Sequence, residues 1–235
     1  MSPKKILILD YSVSRVEASA IQRWMLPEAE VTSLFIDTEE SFPESLSMEG
    51  LTHVIHSGSE LSITEDAPFT RRAINFVREI RNQGIPQMGI CYGHQLVCRA
   101  LVGKHAVRKN PNGFEVGWVN VKFNESAMNL FGVNENEVVW HHHFDEVIEL
   151  PEGSELLATN EHTKTQSFIN TEQNLFCTQF HPEFDKETGD KIYVKDRKLL
   201  ETHNYSVEEI VKSSPSMDTG RVFFDYFLSK EPNKM

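Results

Sequence analysis

Cysteine is scarce in this chain: 3 in 235 residues, at positions 91, 98 and 177. So few and so widely spaced, they do not make an even disulfide framework, which excludes a disulfide-stapled secreted fold and points to a reducing compartment, by default the cytoplasm. Positive charge is also short, with 23 Lys and Arg against 35 Asp and Glu and a formal charge of −12. That balance argues against a nonspecific grip on nucleic acid and against docking on anionic membranes. Long apolar runs are missing. The first, Ile6 to Leu9, is closed at once by Asp10, too soon for a signal-peptide core, and no later segment approaches the length of a membrane span. Internal repeats and low-complexity tracts are absent too.

What is present is ordinary in bulk: 39% apolar and 25% charged residues, the composition of a soluble globular protein. A length of 235 residues is most economically one domain, 1–235, with a sizeable core, although two small domains would fit. Lys4 to Asp10 is a short apolar run that suits a central parallel strand. Helical spacing follows over Val13 to Leu26, then strands over Val31–Ile36 and Leu51–His56, the latter entering a turn at Gly58. Pro68 to Asn82 reads as an amphipathic helix closed by Gly84, Ile85 to Ile90 as a strand, and Gln95 to Val102 as a helix. This alternation predicts an α/β fold with a doubly wound, mostly parallel sheet, whose ligands bind beyond the carboxyl ends of the strands. From Lys104 to Thr178 the pattern changes to short strands, 116–123, 137–141, 155–159, 165–169 and 174–179, read as a small antiparallel extension. The polar stretch Asp185–Lys198 is expected to be a mobile loop, followed by helices over Val207–Ser213 and Arg221–Leu228.

The chemistry concentrates in two places. Gly89-Ile90-Cys91-Tyr92-Gly93-His94-Gln95 places a cysteine between glycines at a strand-to-helix turn, as a nucleophile held at the tip of an elbow requires. The helix N-terminus behind it favours the thiolate. Downstream, Gln179-Phe180-His181-Pro182-Glu183 offers a histidine and a carboxylate two positions apart. Cysteine, histidine and carboxylate together make an activated-thiol acyl-transfer site, with Cys91 as nucleophile, His181 as base and Glu183 orienting the imidazole. Either segment alone has a plainer reading: a buried structural cysteine, or a strand-end histidine beside a solvated glutamate. Cys98 and Cys177 are read as core residues.

These two segments resemble the G-I-C-x-G-x-Q elbow and the Q-F-H-P-E motif of the class I, triad-type glutamine amidotransferases, and weaker matches stand in the same order. Asp10-Tyr11-Ser12 follows the first strand, Ser57-Gly58-Ser59 stands where the family has S-G-G-P, and Glu115-Val116-Gly117-Trp118 is similar to E-I-G-W. The resemblance covers roughly residues 4–184, leaving 185–235 as a helical extension, and implies a flavodoxin-like fold. It also implies an oxyanion hole built from the N–H groups of Tyr92 and the Gly58-Ser59 turn, and a substrate contact at Gln95. In Trp140-His141-His142-His143-Phe144-Asp145, His142, His143 and Asp145 stand at substrate-binding positions where relatives have W-M-S-H-G-D. The three histidines are read as pocket lining rather than a metal site, because no further Cys, His or Asp cluster at ligand spacing accompanies them. No cofactor is implied.

The reaction the resemblance implies is attack of Cys91 on the γ-carbonyl of glutamine or a γ-glutamyl compound, giving a thioester that is then hydrolysed with release of ammonia or amine. The residues outside the resemblance hold no nucleotide-binding glycine loop, so the partner expected is either a separate synthetase subunit or none beyond the small-molecule substrate. Acting alone as a γ-glutamyl peptidase is the close alternative. A catalytically weak binding or regulatory module is the alternative of another class, motivated by the altered 57–60 turn and the three histidines.

Overall fold

The computed structural model of the protein describes residues 3–42 and 50–233. The chain opens with β1 (Lys5–Asp10), α1 (Glu17–Gln22), β2 (Glu30–Phe35), β3 (His53–His56), α2 (Thr70–Asn82), β4 (Gln87–Ile90) and α3 (Tyr92–Leu101). It continues with β5 (Val107–Lys109), β6 (Glu115–Phe123), α4 (Glu125–Phe131), β7 (Asn136–His143), β8 (Asp145–Val147), β9 (Glu155–Thr159), β10 (Ser167–Asn170) and β11 (Leu175–Thr178). Four helices close it: α5 (Lys186–Lys195), α6 (Arg197–Thr202), α7 (Val207–Ile210) and α8 (Thr219–Leu228).

Among the described residues, nine strands form one sheet in the order β2-β1-β3-β4-β11-β10-β9-β6-β7. The pairs from β2 to β11 are parallel, and those from β11 onward to β7 are antiparallel. The sheet is therefore mixed and mostly parallel where the first half of the chain builds it. The antiparallel extension is continuous with it, and β5 pairs with β8 in a separate ribbon. Both faces are covered, as buried parallel strands demand. Phe76, Val77 and Ile80 of α2 pack with Leu96 and Val97 of α3 on one face. Ile21 of α1, Ala127 of α4 and Phe223, Phe224 and Phe227 of α8 pack on the other. No helix among the described residues is long and apolar enough to cross a membrane.

Four expectations change. The helix predicted from Val13 is confined to Glu17–Gln22, and Val13 is 66% exposed. The Asp10 carboxylate explains the late start: it accepts from Ser12 N–H and Ala18 N–H, drawing residues 11–16 into a loop. The stretch expected to be a mobile loop, Asp185–Lys198, is instead helix α5 and the first turn of α6. Asp185 caps it by accepting from Thr188 N–H, Tyr193 is fully buried and stacks on Trp140, and Gly189 fits against Trp118 and Trp140 where a Cβ would collide. Two aromatic rings, rather than an apolar stripe, hold this polar helix. Finally, α4 was not read in the sequence, and β7 runs two residues beyond the predicted 137–141 strand. The signals for α4 were an Asn124 N-cap, whose side chain accepts from Ala127 N–H, and Gly132 at φ +68° just past its end.

Candidate active site

The parallel register of β4 and β11 places two distant segments side by side. Thr178 pairs with Ile90, and the Cys91 N–H donates to the Thr178 carbonyl at 2.8 Å. Cys91 therefore leaves β4 at its carboxyl end, beside the strand that delivers His181 three residues later. Cys91 sits at φ 49°, ψ −101°, a strained conformation for a residue with a Cβ, immediately before α3. The flanking glycines are required: a Cβ on Gly93 would run into the His56 carbonyl, and one on Gly89 would lie 2.7 Å from the Gly93 backbone.

The second segment is clamped from several sides. His181 N–H donates to the Trp140 carbonyl at 3.0 Å. Trp24 Nε1 donates to the Glu183 carbonyl at 3.0 Å, and Thr219 Oγ1 to the Pro182 carbonyl at 3.1 Å. His181 Nδ1 lies 2.6 Å from Glu183 Oε1, so the tautomer with Nδ1–H donates to the carboxylate and leaves Nε2 as the free base position. The imidazole lies against Phe184 and edge-on to Trp140.

A residue that sequence reasoning missed completes this cluster. Glu17, on the first turn of α1, is buried, with Oε1 3.9 Å from His181 Nδ1. One ligand atom each from Glu17, His181 and Glu183 lies within 4.8 Å of the others. Two buried carboxyls this close do not both ionise readily. Burial, and then the Glu183 charge, push the Glu17 carboxyl well above the usual range; burial pushes Glu183 up to about 7. Burial likewise lowers His181 to about 4, so the imidazole is neutral near pH 7. Nothing in the sequence singled out Glu17, which reads there as one polar residue in a helix.

The thiol follows the same electrostatics. Burial, then the Glu17 and Glu183 charges, raise Cys91 well above its ordinary value, while the Tyr92 N–H acts in the lowering direction. The helix N-terminus thus helps the thiolate as expected, but burial and two carboxylates outweigh it. Near pH 7 the thiol and the imidazole are thus both neutral.

Gly58 lies directly over the histidine: a Cβ there would come within 2.6 Å of His181 Cε1 and 3.2 Å of Glu17 Oε1. The departure at 59–60 has a structural use. Ser59 Oγ donates to the Tyr11 carbonyl, and the Glu60 carboxylate accepts from Val13 N–H and Ser14 N–H, stapling this turn to the 11–16 loop. Among the described residues the N–H groups of Gly58 and Ser59 have no backbone or side-chain acceptor, and the Tyr92 N–H is turned toward the Cys91 sulfur.

The substrate-binding set is divided by the fold. His142 lines a cleft of about 220 Å³ together with Glu17, Ser59, Glu60, His181 and Asp196. Cys91 is 3% exposed and is not among the lining residues. Gln95 is buried, donating to the Asp145 carbonyl at 2.9 Å and to Gln179 Oε1 at 3.0 Å. Asp145 Oδ2 accepts from Ser62 Oγ and Ile63 N–H, fixing the loop after Gly58. His143 lies on the opposite face of β7 from His142, and Glu115 of β6, with His162 beside it, meets His143 there. The three consecutive histidines thus serve two different environments, and the fold supplies them with acidic and imidazole neighbours that their own sequence neighbourhood lacks.

The architecture and this cluster define a flavodoxin-like α/β protein with cysteine, histidine and carboxylate at the carboxyl ends of adjacent parallel strands. The family described as glutamine amidotransferase class-I matches residues 10–199. A glutamine amidotransferase-like protein of Schizosaccharomyces pombe is 33% identical over 151 residues, 62% of this chain and 58% of that protein. The glutamine-hydrolyzing GMP synthase of Staphylococcus epidermidis is 35% identical over 178 residues, 76% of this chain and 32% of that enzyme. The chain thus covers less than two thirds of the length of these curated relatives. A crystal structure of a glutamine amidotransferase from Thermotoga maritima matches with TM-score 0.80 over 97% of this chain and 99% of that one, at 19% identity. The chain belongs to the class I glutamine amidotransferase family.

Proposed function

We propose that the protein is a cysteine-dependent hydrolase of glutamine or a γ-glutamyl compound. Cys91 Sγ attacks the γ-carbonyl carbon as His181 Nε2 takes the thiol proton. The same proton passes to the leaving nitrogen, so ammonia or an amine departs and a γ-glutamyl thioester remains. Water, deprotonated by His181, then cleaves the thioester and restores the thiol. Glu183 holds the imidazole tautomer and stabilises the transient imidazolium. The oxyanion is received by N–H groups of Tyr92 and the Gly58-Ser59 turn. Gln95, His142, His143 and Asp145 shape the γ-glutamyl pocket, His142 from within the cleft and the other three from behind it. The observation that carries this reading is the 2.6 Å His181–Glu183 pair beside the carboxyl end of the strand that presents Cys91.

A second reading, cleavage of γ-glutamyl peptides with an amine as leaving group, draws on the cleft wall. Beyond His181 it continues to Lys191, Lys195 and Asp196, charged groups available to a substituent on the γ-nitrogen. In the first reading the ammonia serves a separate synthetase subunit; in the second the chain acts alone. Release of ammonia or amine from glutamine and a panel of γ-glutamyl peptides separates them. Stoichiometric labelling of Cys91 by a glutamine-derived diazo-ketone is expected in either case. A chain that neither labels nor turns over any of these compounds would be a binding module instead.

A further inference from the structure

We propose that Glu115, His141 and His143, joined by His162, form a binding site for a divalent transition metal ion, with zinc as the representative ligand. The ladder between β6 and β7 builds it. Their antiparallel register sets Glu115 opposite His143 and Gly117 opposite His141. Side chains alternate along a strand, so the histidines at 141 and 143 share one face, and Glu115 joins them across the ladder. Glu115 Oε2 lies 3.0 Å from His143 Nε2, 4.0 Å from His141 Nδ1 and 3.4 Å from His162 Nδ1. Tetrahedral coordination with bonds of about 2.0–2.1 Å separates donor atoms by roughly 3.3 Å. Glu115, His141 and His143 already bring one atom each within 4.8 Å of the others, and His162, whose Nδ1 also meets Asn110 Nδ2 and Thr163 Oγ1, would turn to complete the set. Three imidazoles and one carboxylate are donors that suit zinc, and no thiolate is required.

Three further observations point to a ligand. The His141 side chain is fully buried, and among the described residues neither ring nitrogen has a hydrogen-bond partner, an expensive arrangement without something to bind. His143 Nδ1 lies 3.0 Å from the Asp145 carbonyl, which only accepts, so Nδ1 carries the hydrogen. In neutral His143 the Nε2 lone pair therefore faces a carboxylate oxygen, two acceptors that need a proton or a cation between them. The outer contacts are those of a metal centre: a backbone carbonyl orients His143, while Asn160 and Gln166 donate to the two Glu115 oxygens. An entry path exists as well. His162 is only partly buried and, with Asn160, lines a surface groove of about 610 Å³.

The ion would act on substrate binding from behind the pocket rather than in the reaction. The Asp145 carbonyl that receives His143 also receives Gln95 Nε2, so a metal that fixes His143 fixes the support of Gln95.

The test uses the full chain, stripped with a chelator and equilibrated with zinc, with bound metal measured by elemental analysis after dialysis and thermal unfolding recorded in parallel. One zinc per chain and a rise in melting temperature are expected, because an ion bound only by the folded state stabilises it. Glu115→Gln and His141→Gln should each weaken binding at least about 10-fold, whereas Glu17→Gln, in the other histidine–carboxylate cluster, should leave it unchanged. Cobalt substitution in the wild type should show a tetrahedral nitrogen and oxygen spectrum without thiolate charge transfer, which decides the matter even if a variant fails to fold. Folded wild type that holds no zinc, zinc retained undiminished in both folded variants, or a thiolate band would each overturn the proposal. These readouts are independent of turnover, so they stand apart from the proposed hydrolase activity.

Discussion

Two buried histidine–carboxylate clusters lie on this sheet, and they invert each other's composition. At the cleft, Glu17 and Glu183 flank one imidazole; behind β7, one carboxylate faces several imidazoles. At the cleft burial raises both acids, the Glu183 charge adding to it at Glu17, and burial lowers His181, leaving its imidazole neutral near pH 7. In the second cluster burial alone would raise Glu115, yet His141 and His143 hold it well below the usual range. The first arrangement is suited to moving a proton and the second to holding a cation. The ratio of acids to imidazoles, rather than burial alone, separates them.

The largest effects should come from the cleft. Cys91→Ala is expected to reduce ammonia or amine release to the uncatalysed background with the melting temperature nearly unchanged. His181→Ala should lower kcat/KM by about 10³–10⁴-fold, since base catalysis and the tautomer are lost together. Equal losses from Glu115→Gln would erase the contrast, because that variant is expected to perturb metal binding and stability before turnover.

Stability against pH sharpens the comparison. Glu183 rises from 4.5 to about 7, so the native state binds the extra proton between these values, and the associated stabilisation is lost as pH rises through about 7. His181 falls from 6.5 to about 4, so its contribution has the opposite sign and is lost as pH falls through that window. In urea titrations the wild type should therefore lose stability relative to Glu183→Gln from pH 4.5 to 7, by at most about 1.4 kcal/mol per pH unit. A wild type that instead gains stability relative to the variant as pH rises would contradict the raised acid.

Smaller effects follow. Glu17→Gln removes a carboxyl whose charged form disfavours the thiolate, so alkylation of Cys91 should be faster than in the wild type at the alkaline end of the pH profile, where the raised acid ionises, and little changed where it is protonated. Ser59→Ala deletes one staple to the Tyr11 carbonyl and should cost about 1 kcal/mol in unfolding free energy, read from urea midpoints.

The elbow was legible because most of its requirements are local: a Cβ at 89 would meet the Gly93 backbone, and only a strand-to-helix turn displays residue 91, whereas the bar at 93 is set by the His56 carbonyl of a neighbouring strand. The alternating pattern around β1, β3 and β4 was legible for the same reason, since buried parallel strands are apolar on both faces. Helix α5 was misread because its anchor is not its own periodicity but Trp118 and Trp140, on distant strands. Glu17 carried no signal, as an isolated glutamate is most often solvated, and Glu115 was marked only by its place in the Glu115-Val116-Gly117-Trp118 segment, which gave no hint of its imidazole neighbours.

By itself the sequence determined the glycine-flanked turn at Cys91 and the fold class, and it picked out His181 and Glu183 as candidates, because backbone sterics and hydrophobic period act between near neighbours. Tertiary structure alone decided which charges share a low-dielectric space. The β4–β11 and β6–β7 registers bring residues tens of positions apart within a few ångströms, and at that range electrostatics, not residue type, sets where each proton resides.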